Sequence, residues 1–280
     1  MKGGARVDLW KAHGNGNDFI LLDARSGELA GEDLARMTIA LCRRRKGIGA
    51  DGVLIMEASD EAAFRMRLFN ADGSEGEMCG NGARVIARWA FERGVAASPM
   101  RFVTGAGIVE ATVEPPFVEL DMGMIDLRDG TFGQRIDVLG MEHPYVSLTV
   151  GVPHCVLLMD GPLAREGMFE AGRALRNDLR RSPQGTNVTF AHRGADGEIF
   201  ATTYERGVED LTDSCGTGCV ATAIAADIVW GIPSPIDIVN PGGTNGVRLS
   251  FDPSREHVRA WLRGRTALVA QGEILPEAWD

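Results

Sequence analysis

The chain has 280 residues, 44% of them apolar, and its 39 acidic against 29 basic side chains give a formal net charge of −10. That apolar share is too high for a disordered chain, and the acidic balance argues against a nucleic-acid surface, which needs a basic face. No apolar run approaches the roughly 20 residues that cross a bilayer, and the opening MKGGARVDLWKAHGNGNDF lacks the apolar core of a signal peptide, so a cytoplasmic protein is expected, without a membrane or nucleic-acid partner.

Five cysteines, Cys42, Cys79, Cys155, Cys215 and Cys219, are an odd number in a long chain. They do not form a disulfide framework, and in a reducing compartment they are expected to be free thiols. The only lysines are Lys2, Lys11 and Lys46. Pyridoxal phosphate needs a lysine for its Schiff base, and these three stand in a terminal or in Gly- and Arg-rich stretches, so pyridoxal chemistry is not expected. Nor is a zinc site: there is no C-x-x-C, and His154 and Cys155, neighbours on a strand, point to opposite faces.

In chain order, VDLWKAHG and FILLDA read as short strands separated by a Gly-rich turn. GEDLARMTIALCRRR has apolar residues at helical spacing. GADGVLIME and FRMRLFN read as paired strands, with a turn at NADGSEG. A helix over 81–93 ends at Gly94, and MRFVTGAG, IVEATVE and FVELDMG follow as antiparallel strands. The second half repeats this grammar. YVSLTVG and HCVLLMD are strands, AREGMFEAGRALRNDL (164–179) a helix, TNVTFAHR and GEIFATTYERG strands, and a helix runs from Gly216 to about Val229. PIDIVNPGG, VRLSFD, VRAWLRG and TALVAQGEI close the chain as four strands. This repetition predicts a duplication giving two similar α+β domains. The boundary is placed near Met122 to Arg128, giving domains of 1–122 and 123–265, with the last strand, about 266–280, assigned back to the first domain.

Each half places a cysteine at the mouth of a helix. MCGNGARVIARWA (78–90) and SCGTGCVATAIAA (214–226) share a Cys-Gly-x-Gly opening. A helix N-terminus carries unpaired N–H groups and a partial positive charge, which should lower the pKa of a thiol there and bind a carboxylate. A lone cysteine before a glycine turn is more often a small buried hydrophobe; its recurrence half a chain away favours the functional reading. Set face to face across a domain cleft, Cys79 and Cys215 would put one sulfur on each face of a substrate α-carbon. One thiolate would remove the α-proton while the opposite thiol returned another, inverting the centre. The helix mouths would stabilise the charge developing on the carboxylate, and the pair would carry a single, coupled proton. Cys42 and Cys155 are assigned structural roles, and Cys219, one turn into its helix, a place near the site without acting.

KAHGNGNDF, LFNADGSEGEMCGNGAR, TNV, YERG and SCGTG together resemble the diaminopimelate epimerase family over nearly the whole chain, from Lys11 to about Gly243. The resemblance implies an α+β fold of two pseudo-symmetric domains, each a mixed, mostly antiparallel sheet wrapped around a central helix, with the active site in the cleft between them. It implies a cofactor-independent isomerase of lysine and peptidoglycan-precursor biosynthesis, with no metal and a homodimer as its expected assembly. Related proline racemases and phenazine-type isomerases share the fold; the latter replace a catalytic cysteine by a carboxylate, whereas this chain keeps both sulfurs. Carried over by motif, Cys79 and Cys215 are the acid–base pair. Gly80, Asn81, Gly216 and Thr217 form the carboxylate cradle, and Asn17, Asn70, Asn187, Glu205 and Arg206 bind substrate. His154 is assigned electrostatic assistance. Read without the family, the three asparagines would be turn residues and Arg206 a surface charge.

Two departures bear on the substrate. Val152 stands where the family usually has an asparagine facing the distal end of diaminopimelate, and the loop from Glu205 to Cys215 is one residue longer than the commonest spacing. A cofactor-independent racemase of another amino acid, such as histidine or a diamino acid, is therefore the alternative within the fold. Outside it stand a redox protein with a Cys79–Cys215 disulfide and a binding-only relative, the second disfavoured by the retention of both sulfurs.

Overall fold

The computed structural model describes residues 7–27, 29–178 and 182–279. Lys2, and Leu179 at the end of the helix expected over 164–179, lie outside the described residues. The chain divides into two compact units: one runs to Leu120 and resumes at Gly264, the other runs from Asp121 to Arg263.

In the first unit β1 (Val7–Gly14) and β2 (Asn17–Asp23) form an antiparallel hairpin. Asn15 and Gly16, both at positive φ, make the reversal. α1 (Leu34–Cys42), capped by the Asp33 side chain, crosses to β3 (Gly52–Glu57), which lies parallel to β2. β4 (Arg65–Asn70) returns antiparallel to β3, with the short β5 (Glu75–Gly76) folded onto it. α2 (Gly80–Glu92) is the second crossover, leading to β6 (Met100–Thr104) parallel to β4. β7 (Gly107–Glu114) and β8 (Phe117–Asp126) continue as a meander. α2 packs against β1, β2, β3, β4 and β7 and buries Asn81 to Ala87, Trp89 and Ala90. Such contact on several sides requires small residues: a Cβ on Gly82 would stand 3.1 Å from Leu54 Cδ2. The helix ends as the sequence indicates, Gly94 at φ 67° donating to Phe91 O.

The second unit repeats the order. β9 (Thr131–Val138) precedes the hairpin of β10 (Met141–Val150) and β11 (Val152–Met159). α3 (Arg165–Arg176) crosses to β12 (Asn187–Arg193), parallel to β11, and β13 (Ile199–Glu205) returns antiparallel with β14 (Asp210–Thr212) folded on it. α4 (Gly216–Trp230) crosses to β15 (Ile236–Asn240), parallel to β13, and β16 (Gly243–Phe251) completes a hairpin. Hairpin, parallel crossover, hairpin, parallel crossover, hairpin: the succession matches the first unit step by step, and α2 and α4 occupy the same step. α4 is apolar on every side (GTGCVATAIAADIVW) and buries Gly218 to Ala226, as a helix enclosed by sheet must.

Three features differ from the sequence pattern. The pattern breaks the chain at Gly264, but β17 (His257–Ile274) runs straight through it, and its later residues pair antiparallel with β1; a buried glycine is tolerated where ladder bonds continue on both sides. β9 and β14 are additional strands. β9 shows no apolar alternation over its first residues because Gly133, Gln134 and Arg135 are all exposed, and β14 is held mainly by three ladder pairs to β13.

Candidate active site

Cys79 occupies the N-cap of α2 in an extended conformation (φ −135°, ψ 125°), and Cys215 occupies the N-cap of α4 similarly (φ −107°, ψ 108°). The Cys79 side chain makes no capping bond to its helix. The backbone carbonyls close the first turns, Cys79 O accepting from Ala83 N–H at 2.8 Å and Cys215 O from Cys219 N–H at 2.9 Å. An N-cap side chain ordinarily satisfies a first-turn amide, as Cys215 does with Gly218 N–H.

In the first unit the half-buried Cys79 Sγ lies 3.5 Å from Asn17 Oδ1, which also accepts from Asn81 Nδ2 at 3.4 Å. Asn81 is buried, and its own oxygen accepts from the buried Arg84 at 2.5 Å. Gly14 allows β1 to approach this turn: a Cβ there would stand 3.2 Å from Asn81 O. Asn70, exposed at the end of β4, donates to Ser74 Oγ at 3.0 Å and helps shape the NADGS turn.

In the second unit Cys215 is buried, with Thr217 Oγ1 3.6 Å from its sulfur and Gly218 N–H donating to it. Burial pushes this thiol well above its usual pKa, and the nearby Glu205 carboxylate adds to the effect; the bonds from Thr217 and Gly218 offset only part of it. The expectation that a helix mouth lowers the thiol pKa is thus overturned for Cys215, because desolvation of the thiolate outweighs the helix-end dipole. Glu205 is half-buried as a residue, but its carboxyl end is enclosed. Burial raises its pKa, partly countered by hydrogen bonds from Thr212, at 2.9 Å, and from Cys215. Asn187 Oδ1 accepts from the Arg206 N–H at 2.7 Å, and the Arg206 guanidinium donates to Gln184 O. His154, beside Asn187 in the β11–β12 ladder, is fully buried, and neither ring nitrogen has a hydrogen-bond partner. Burial, with Arg206 adding to it, pushes its pKa down to about 3.

Comparison with known proteins places this pair of helix mouths. The diaminopimelate epimerase family model matches residues 9–127 and 146–258, which hold both Cys-Gly-x-Gly openings. The chain belongs to the diaminopimelate epimerase family. Among the curated members, the diaminopimelate epimerase of Archaeoglobus fulgidus is 38% identical over 95% of this chain and 96% of its own, and that of Aquifex aeolicus 32% over 98% and 100%. Solved structures share the fold at low identity. A Bacillus anthracis phenazine biosynthesis protein superposes with a TM-score of 0.74 at 15% identity, covering 97% of this chain and 100% of that one. A hydroxyproline epimerase from Agrobacterium vitis gives 0.70 at 18%, covering 100% and 94%.

The family residues gather in two groups. Asn17, Cys79, Gly80 and Asn81 meet at the mouth of α2, with Asn70 a turn away in the NADGS segment. Glu205, Cys215, Gly216 and Thr217 meet at the mouth of α4, and Asn187, Arg206 and His154 form an adjoining cluster. Asn187 spends its oxygen on the Arg206 backbone, so it shapes the YERG turn. With its pKa pushed down to about 3, His154 carries no charge near neutral pH. The longer loop after Glu205 is accommodated by β14 and by Glu209 at φ 58°, which Arg176 holds. Residues absent from the sequence reading are Asp51, Arg44 and Arg84 in the first unit and Thr203 and Thr212 in the second. Only Arg84 carried a signal, a cation on the buried face of an otherwise apolar helix.

A Cβ on Gly218 would stand 2.8 Å from Thr203 Oγ1 and 3.2 Å from Cys215 Sγ. Gly218→Ala should therefore displace the sulfur and reduce kcat by about 100-fold, the order expected for a misplacement near 1 Å, while circular dichroism stays native; unchanged kcat would show that the sulfur has room to spare. His154 gives a pH signature. Between its unfolded pKa near 6.5 and its folded value of about 3, the unfolded chain binds a proton that the folded chain does not. Stability should therefore fall as pH drops below 6.5, with this residue contributing roughly 1.4 kcal/mol per pH unit. Urea unfolding of His154→Gln from pH 7 to 5 should show a correspondingly flatter profile than the wild type.

Proposed function

We propose that this protein inverts the α-carbon of LL-diaminopimelate to the meso form without an organic cofactor or metal, Cys79 and Cys215 serving as the two proton-transfer groups. The observation that carries this reading is the pair of N-cap cysteines at the same step of the repeated fold, each sulfur at the mouth of its helix. Family membership supplies the reaction class, an isomerisation.

The chemistry follows from the two environments. Cys215, buried beside Glu205, rests as a thiol and is the proton donor. Cys79, partly open to solvent, is the group left to act as thiolate base. The Cα–H bond breaks as its proton passes to Cys79, and the electron pair spreads into the substrate carboxylate, which the first-turn amides at Gly80 and Asn81 or Gly216 and Thr217 stabilise. The Cys215 S–H then delivers its proton to the opposite face, leaving Cys79 protonated and Cys215 a thiolate, the state that runs the reverse reaction. Both sulfurs must address one α-carbon for this to work. A substrate ammonium beside Glu205 would neutralise the charge that holds the Cys215 proton and so ease its release. Arg206 offers a planar fork to a distal carboxylate.

Two further observations support cofactor independence and a reducing cytoplasm. Of the lysines, Lys11 is paired with Asp18 and Lys46 lies exposed beside an Arg-rich turn, so neither is set up as a Schiff-base amine. Among the described residues no disulfide joins the cysteines.

Val152 favours a second reading. It is half-buried at the start of β11 and cannot make a hydrogen bond that an asparagine would offer a distal polar group, a loss on the order of 1 kcal/mol. A racemase of another amino acid, such as histidine or a diamino acid, on the same two-thiol machinery is that alternative.

Both readings are separated by chiral chromatography of reactions with LL-diaminopimelate and, in parallel, L-histidine. The proposal expects inversion of diaminopimelate alone, and its loss to below about one-thousandth in Cys79→Ala and in Cys215→Ala, each natively folded. Inversion of histidine alone overturns the substrate; near wild-type inversion by either alanine variant overturns the mechanism.

A further inference from the structure

Asn17 is the residue nearest Cys79 whose orientation decides what the sulfur meets. A primary amide has an accepting end and a donating end, and only one can face Cys79. Asp51, brought beside β2 by the β2–β3 pairing, settles which. Its carboxylate can only accept, and Asn17 Nδ2 donates to Asp51 Oδ2 at 2.8 Å. The oxygen of the amide is thereby turned toward Cys79 and Asn81.

Asp51 is itself braced. Its Oδ2 also accepts from the Asp18 N–H at 3.1 Å, its Oδ1 from Arg44 Nη2 at 2.7 Å, and its own N–H donates to Asp18 Oδ1 at 3.1 Å. Arg44 bridges to Asp18 Oδ1 at 2.8 Å, and Lys11 reaches Asp18 Oδ2 at 2.5 Å. Burial pushes the Asp18 carboxyl up, but the hydrogen bonds and charges of Arg44 and Lys11 outweigh it and hold it at about 2. Two carboxylates and two cations thus form one cluster, anchored on β1, β2 and the loop before β3, with Asn17 as its projection toward the helix mouth.

We infer that Asp51 is a positioning residue that locks the Asn17 amide with its oxygen toward the Cys79 sulfur, and so strengthens Cys79 as a base. An acceptor facing the sulfur favours S–H over S⁻, so a thiolate formed there holds a proton avidly once it takes one. The same oxygen is the end that would accept from a substrate ammonium. This assignment of consequence rests on the proposed function, but the lock itself does not.

Replacing the carboxylate by an amide removes the constraint, because Asp51→Asn can donate or accept and Asn17 is free to turn. Its NH₂ end would then stabilise the thiolate. The test is the rate of Cys79 alkylation by iodoacetamide at pH 7, read by peptide mass spectrometry with Cys215 as internal reference, alongside epimerisation kinetics. Asp51→Asn should alkylate Cys79 about threefold faster or more and lose about tenfold in kcat, with a smaller change in KM. Asp51→Glu, which still only accepts, should restore slow alkylation. In an Asn17→Ala background, Asp51→Asn should no longer change the alkylation rate. If the acceleration persists there, or if Asp51→Asn leaves the rate unchanged, the inference is overturned. Should Asp51→Asn not fold, Arg44→Met, which keeps the carboxylate and removes its brace, should shift alkylation in the same direction, and no shift counts against the lock. The alkylation readout needs no substrate, so failure to epimerise diaminopimelate would overturn the functional reading and leave this result standing.

Discussion

A sulfur placed at a helix N-cap is the constraint on which the rest depends. The first-turn amides lie beside it, the carbonyl of its own residue closes the turn, and the side chain projects from the helix end. What the sulfur becomes is then decided by its surroundings. At Cys215, enclosure and a neighbouring carboxylate overcome the dipole and keep the proton on. At Cys79, the sulfur holds a more open position beside an amide oxygen. Transfer between two like groups needs such an asymmetry, since a pair of thiols or a pair of thiolates could not both give and take a proton.

The fold delivers that constraint twice by the same route. In each unit the cysteine follows a strand and its short antiparallel return, and the helix it opens carries the chain to the next parallel strand. Because strands pack against several sides of both helices, most of their buried residues are small or apolar, and glycine stands where the approach is closest. Gly82 against Leu54 and Gly218 against Thr203 are the two clearest cases.

Much of this was legible in the sequence because it rests on short-range grammar. The Cys-Gly-x-Gly openings, the glycine that ends α2 and the alternation along most strands are local signals, and the repeated succession of elements needed no residue matching. The features that escaped are those assembled by distant pairing. Asp51 reaches Asn17 only because β3 lies parallel to β2, and Thr212 reaches Glu205 only through a strand too short to show a pattern. The acidity of Cys215 was misread for a related reason. The dipole of its helix is written in the neighbouring residues, but the enclosure that outweighs it is built by chain that lies elsewhere in sequence. Gly264 misled in the opposite sense, since a local breaker was overridden by ladder bonds to either side.

The central claim is that two thiols, one on each face, carry one exchangeable proton between them. It is tested most directly by starting the reaction from pure LL-diaminopimelate in deuterated water and analysing the first few per cent of conversion by mass spectrometry. Two separate groups predict meso product with one deuterium at the inverted carbon while recovered LL substrate carries none. Deuterium appearing equally in product and recovered substrate would mean that one group serves both faces, and would contradict the account.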